Sequence, residues 1–155
     1  MPCFRDHEQI GGLVGGVAAF GFAAAANQPL LLALAETAGG ILAGGSAGTW
    51  PDRLEPGVSS HHRDSAHALV PAAALSKLAF DRAVSVQGSF RAAAAMCFRV
   101  AETSGNGFES FFNLVAGLSL HMLAGAVPAV PAAYLSHLAL DAPSPRGIPL
   151  LTRGF

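Results

Sequence analysis

A chain of 155 residues, 52% hydrophobic and only 12% charged, can bury one domain-sized core and is too apolar for a disordered segment. Its net charge of −1, with nine lysines and arginines spread along the chain, builds no clustered basic face and so excludes a nucleic-acid footprint. Two cysteines, Cys3 and Cys97, with no CxxC pair, argue against a cysteine zinc site.

The apolar residues are mostly Ala, Gly, Leu and Val, which favours close-packed helices over sheet. We expect residues 1–155 to form a single all-α domain, a compact bundle of five to six apolar helices. After a polar lead-in, a first helix is predicted over 8–26. Asn27-Gln28-Pro29 ends it, and Pro29 opens a second helix to about Ala43. Gly44-Gly45-Ser46-Ala47-Gly48 breaks that helix, and a polar loop follows over 50–65. A third helix starts near Asp64 or Ser65, either of which can cap it, and carries His67 in its first turn. Gln87-Gly88-Ser89 reads as a turn before a fourth helix over 90–102, with Arg91 and Arg99 on its exposed side. A fifth helix runs over 108–126. Pro128 and Pro131 interrupt the run, and a sixth helix covers 132–140.

Two stretches, Ile10 to Ala35 and Ser110 to Leu140, contain no Asp, Glu, Lys or Arg, and each exceeds the ~20 residues that a spanning helix needs. The chain therefore reads as membrane-associated. The N-terminus makes a poor signal peptide, because Asp6 and Glu8 stand beside its one basic residue, Arg5. The spacings Gly11-x3-Gly15, Gly12-x3-Gly16 and Gly40-x3-Gly44 let helix backbones approach closely, either inside the bundle or between copies of the chain.

The polar loop gathers Asp52, Glu55, His61 and His62, with His67 just beyond it. Imidazole and carboxylate groups suit zinc and similar divalent ions. A second pair, His137-x3-Asp141, projects from one helix face, since four residues turn ~400°. His62 and His67 converge only if a helix begins between them. His7, at the mouth of the first helix, can close the site from the N-terminal side, whereas His121 reads as a satisfied core histidine. The plain alternatives are a solvated surface loop and an i,i+4 pair supporting a helix end.

Trp50-Pro51-Asp52-Arg53-Leu54-Glu55-Pro56, followed by His62-Arg63-Asp64-Ser65-Ala66-His67, resembles a PD-x-LEP and HR-x3-H pattern. Tyr134-Leu135-Ser136-His137-Leu138-Ala139-Leu140-Asp141 and Ser144-Pro145-Arg146-Gly147-Ile148-Pro149-Leu150-Leu151 resemble GYLSHLxLD and TPxGxPLL. These blocks, about a quarter of the chain, are those of the YdjM-like family of inner-membrane-associated metal-dependent hydrolases. That family is distantly similar to zinc-dependent phospholipase C and P1-type nucleases, all-helical proteins with several zinc ions. The resemblance implies Asp52, His62, His67, His137 and Asp141 as ligands, Glu55 as ligand or base, and His7 as a further ligand. The sequence departs from the pattern at Ala133, at Ala68 and at Ala142-Pro143.

The expected function is metal-assisted hydrolysis of a small phosphoester at the bacterial inner membrane, with membrane lipid as a partner. Asp52 or Glu55 would be the general base, and Arg53 or Arg63 would neutralise phosphate. The alternatives are a membrane scaffold with a structural metal and a helical interaction module without one.

Overall fold

The computed structural model describes residues 4–55 and 66–143, and it holds no strand among them. Helix α1 spans Phe4–Ala25, α2 Leu30–Ala47, the one-turn α3 Trp50–Leu54, α4 Leu69–Thr103 and α5 Gly107–Asp141. The break between α1 and α2 falls where expected. Asn27 takes a left-handed φ of 51°, which asparagine tolerates. The Gln28 amide turns back to the Ala23 carbonyl at 3.0 Å and that of Asn27 to Ala24 at 2.9 Å, a Schellman ending. Pro29, which cannot continue α1, then stands at the N-cap of α2.

The structure corrects the helix count. The third and fourth expected helices are one continuous α4, and the fifth and sixth are one α5. Gly88 lies in open space, so it costs α4 only its propensity of ~1 kcal/mol. Gln87 is buried and donates from Nε2 to the Ala124 carbonyl at 3.0 Å. That carbonyl is the one a helical N–H at position 128 would have bonded, and Pro128 has none. A side chain from α4 thus replaces the backbone bond that a proline removed from α5, and α5 continues. His67 precedes α4 instead of lying in its first turn, with Ala68 at the N-cap. The proposed caps Asp64 and Ser65 lie outside the described residues.

The core is made of small residues. Ala19, Ala23, Ala83, Ala94, Ala124, Ala129 and Ala133 are fully buried, while Leu13, Leu30, Leu31, Val84 and Phe108 are each about two-thirds exposed or more. Glycine permits the close packing. A Cβ on Gly11 would sit 2.9 Å from the Gly48 Cα, and one on Gly15 2.8 Å from the Gly44 Cα. The expected glycine faces are therefore spent inside the chain, joining α1 to α2. Gly39 and Gly125 do the same between α2 and α5. A methyl on Gly39 would strike the Met122 carbonyl, and one on Gly125 the Glu36 carbonyl. We expect Gly125→Ala to cost at least ~3 kcal/mol, because backbone cannot move aside as a side chain can. Gly88→Ala, in open space on the same bundle, should stabilise by roughly 0.5–1 kcal/mol. Unfolding of the two variants in one detergent checks the opposite signs.

This arrangement, small residues inside and large apolar ones outside, suits a lipid surround. By length and composition the stretches Phe4–Ala25, Leu30–Leu54 and Gly107–Asp141 can each cross a bilayer. Helix α4 is not among them, and its outer face carries an exposed Lys77–Asp81 ion pair at 2.7 Å.

Candidate metal centre

Four helix ends meet at one end of the bundle: the start of α1, the α2–α3 connection, the segment before α4 and the last turn of α5. Each supplies a group. His7 comes from α1, Asp52 from α3, His67 from the residues before α4, and His137 and Asp141 from α5. The i,i+4 spacing on α5 does what its geometry requires, placing His137 Nε2 3.7 Å from Asp141 Oδ2. Asp52, His67, His137 and Asp141 each present one ligand atom, and these atoms lie within 4.8 Å of one another. His67, His137 and Asp141 are buried; the Asp52 side chain is 25% exposed and forms the open side.

The imidazole orientations are imposed by the groups behind them. His137 Nδ1 donates to the Gly48 carbonyl at 2.7 Å. His67 Nδ1 lies 3.0 Å from Glu55 Oε2, and a carboxylate at that nitrogen makes it the N–H donor. In neutral rings both Nε2 atoms then carry lone pairs. They face each other at 3.3 Å. Asp52 Oδ1 stands 3.5 and 3.6 Å from the two nitrogens, and Asp141 Oδ2 3.8 and 3.7 Å. Four electron-rich atoms converging in a buried space repel one another unless a proton or a metal ion lies among them. These spacings, 3.3–3.8 Å, begin at the edge of about 3.3–3.4 Å that tetrahedral coordination with ~2.0–2.1 Å bonds would have and run somewhat wider.

The second oxygens of both carboxylates point the other way. His7 Nε2 is 3.6 Å from Asp141 Oδ1 and 4.0 Å from Asp52 Oδ2. Its ring stacks on His137 with centroids 3.8 Å apart, and its Nδ1 is buried with no hydrogen bond among the described residues. The donors thus divide into a set of four and a set of three that share both aspartates.

Glu55 stands behind His67, not beside the convergence. Its Oε1 accepts from the Ala66 amide at 2.7 Å while its Oε2 meets the imidazole. The Tyr134 hydroxyl donates to the Ala66 carbonyl, so the residue before His67 is held at both its amide and its carbonyl. Sequence reasoning missed the Gly48 carbonyl and the part played by Tyr134. Tyr134 had a signal, standing three residues before His137 on the same helix face. His61, His62 and Arg63 lie outside the described residues, as does the block from Ser144 to Leu151. Arg53 is exposed, over the Phe4 ring at 5.4 Å.

A second polar cluster lies deeper in the bundle. Glu36 of α2 is fully buried. It accepts from Arg91 Nε at 2.8 Å and from the second guanidinium nitrogen at 2.7 Å, a bidentate pair. Its Oε1 also lies 2.9 Å from His121 Nδ1. Arg91 is therefore turned inward, contrary to the exposed position expected of it; the pull of a buried carboxylate outweighs its solvation. Arg99 is exposed as expected. His121 is the satisfied core histidine, with Glu36 as its partner and Phe98 stacked at 6.0 Å.

Comparison with known proteins finds no matching family model, characterised protein or solved structure. The buried His/Asp cluster, which could bind a metal ion, and the three apolar helices stand on this chain's own geometry.

Proposed function

We propose that this chain is a membrane-associated, metal-dependent phosphoester hydrolase, as its resemblance to the YdjM-like family also implies. The observation that carries the reading is the convergence of two carboxylates with the Nε2 atoms of two imidazoles whose Nδ1 atoms are committed elsewhere. His67, His137, Asp52 Oδ1 and Asp141 Oδ2 would hold one divalent ion, with zinc the natural choice for that donor set. His7 with Asp52 Oδ2 and Asp141 Oδ1 would hold a second. Two such ions would supply the charge that phosphoryl chemistry uses, with Asp52 and Asp141 serving both donor sets. The first set is closed by four protein ligands, as in structural sites, and the second leaves a position open, as catalysis needs.

Bound divalent ions would polarise the phosphoryl oxygen and bring a water towards its hydroxide form near neutral pH. In the hydrolysis, the water oxygen bonds to phosphorus, the ester P–O bond breaks, and the water's proton ends on the departing alkoxide. Asp52, whose side chain is 25% exposed, stands at the open side, where that water would enter. Glu55 fixes the tautomer and orientation of His67. Arg53, next to Asp52 in sequence, is available to a phosphate oxygen.

The closed first set also suits a scaffold with structural metal, and turnover separates the two. Protein loaded with zinc or manganese should hydrolyse a soluble aryl phosphodiester, and Asp52→Ala should remove that activity while the fold persists. Equal rates in the variant would place any activity elsewhere. A loaded, folded protein without activity would leave the structural reading.

A further inference from the structure

The outer seam between α1 and α2 is a groove with two ends of different character. A cavity of about 400 Å³ at the metal end is lined by Glu8 and Arg53 among others. A cavity of about 500 Å³ continues it and is lined by Val17 and Phe20. Leu13 and Ile41 line both, so the two are one groove. Its polar end carries the chain neighbours of two members of the His/Asp cluster: Glu8 follows His7, and Arg53 follows Asp52. The remainder is apolar, and Leu13 and Val17 are each about two-thirds exposed along it.

The geometry points to a bilayer phospholipid as the substrate, with its phosphate at Arg53 and one acyl chain lying along this groove. The inference rests on the hydrolase reading and names its substrate class. Three observations carry it. The order from charged to apolar along the groove is that of a lipid from headgroup to tail. From Glu8 to Phe20 is twelve residues, ~18 Å of helix, close to one leaflet of a ~30 Å hydrocarbon core with its interface. The guanidinium of Arg53 supplies the charge and the planar fork that a phosphodiester accepts, while Glu8 beside it can accept from a headgroup hydroxyl or ammonium. α1 and α2 can each cross a bilayer, so the groove would open sideways onto the leaflet in which the metal end lies.

The test compares two substrates for the metal-loaded full chain: vesicles of a dioleoyl phosphatidylglycerol and phosphatidylcholine mixture, and soluble bis-p-nitrophenyl phosphate. Val17→Trp fills the apolar half and Arg53→Ala removes the phosphate contact. Val17→Trp should lower the ratio of lipid to soluble turnover by about tenfold or more, whereas Arg53→Ala, which removes a contact that both phosphodiesters share, should lower both turnovers. Val17→Trp should also abolish retention of phospholipid by the purified protein in native mass spectrometry. An unaltered ratio, or unaltered lipid retention, overturns the inference. If the unmodified protein turns over neither substrate, the hydrolase reading fails by itself. Lipid retention then decides the groove: its loss in Val17→Trp supports lipid binding there, and its persistence overturns it.

Discussion

His137→Ala is expected to lower affinity for zinc by more than the ~10–100-fold typical of losing a residue behind a ligand, and to abolish metal-dependent turnover. The side chain holds two positions at once. Its Nε2 faces both carboxylates and His67, and its Nδ1 binds Gly48 between α2 and α3. Removal leaves the first donor set short of a ligand and α5 unlinked from the α2–α3 connection. Glu55→Gln is the informative comparison. It keeps every proposed ligand and weakens only the carboxylate behind His67, so affinity should fall by ~10–100-fold with little change in stability. Competition against a chromophoric chelator measures both. Indistinguishable affinities for the two variants and the unaltered chain would mean that the cluster binds no metal.

Glu36→Ala should destabilise the bundle by ~3–5 kcal/mol, because Arg91 would remain as a buried charge without its carboxylate. For a chain of this length that lowers the unfolding temperature by roughly 10 °C. Replacing both partners with apolar residues, Glu36→Met with Arg91→Leu, should recover part of the loss, since the pair's desolvation cost disappears with it while His121 still lacks its carboxylate. A double variant as unstable as the sum of the singles would show that the pair contributes packing and not charge compensation. The cluster also lies far from the metal centre: His121 and His137 are sixteen residues apart on α5, or ~24 Å. Metal affinity in Glu36→Ala should therefore change less than stability does.

The candidate metal site was legible to the degree that its side chains obey local geometry. His137 and Asp141 share a helix face by spacing alone, and residue type marks His7 and Asp52 as candidates in the sequence. The helix start expected between His62 and His67 falls instead at Leu69, so His67 lies before α4 and not in its first turn, while His62 itself falls outside the described residues. What stayed hidden is tertiary. Gly48 enters through its carbonyl, which no side-chain pattern reports. Glu36 meets residues 55 and 85 positions away, although a lone acid in an apolar helix was a signal that it needed a partner. The helix count failed for a related reason. Gln87 and Pro128 each look like a break locally, and each is compensated by the other across α4 and α5.

The central claim is that the convergence of His67, His137, Asp52 and Asp141 is a cation site, with His7 completing a second. Elemental analysis of the purified full chain after zinc loading and removal of excess metal tests it most directly. Two ions per folded chain, falling to one in His7→Ala, is the result this geometry predicts. A folded chain that retains no metal would contradict it.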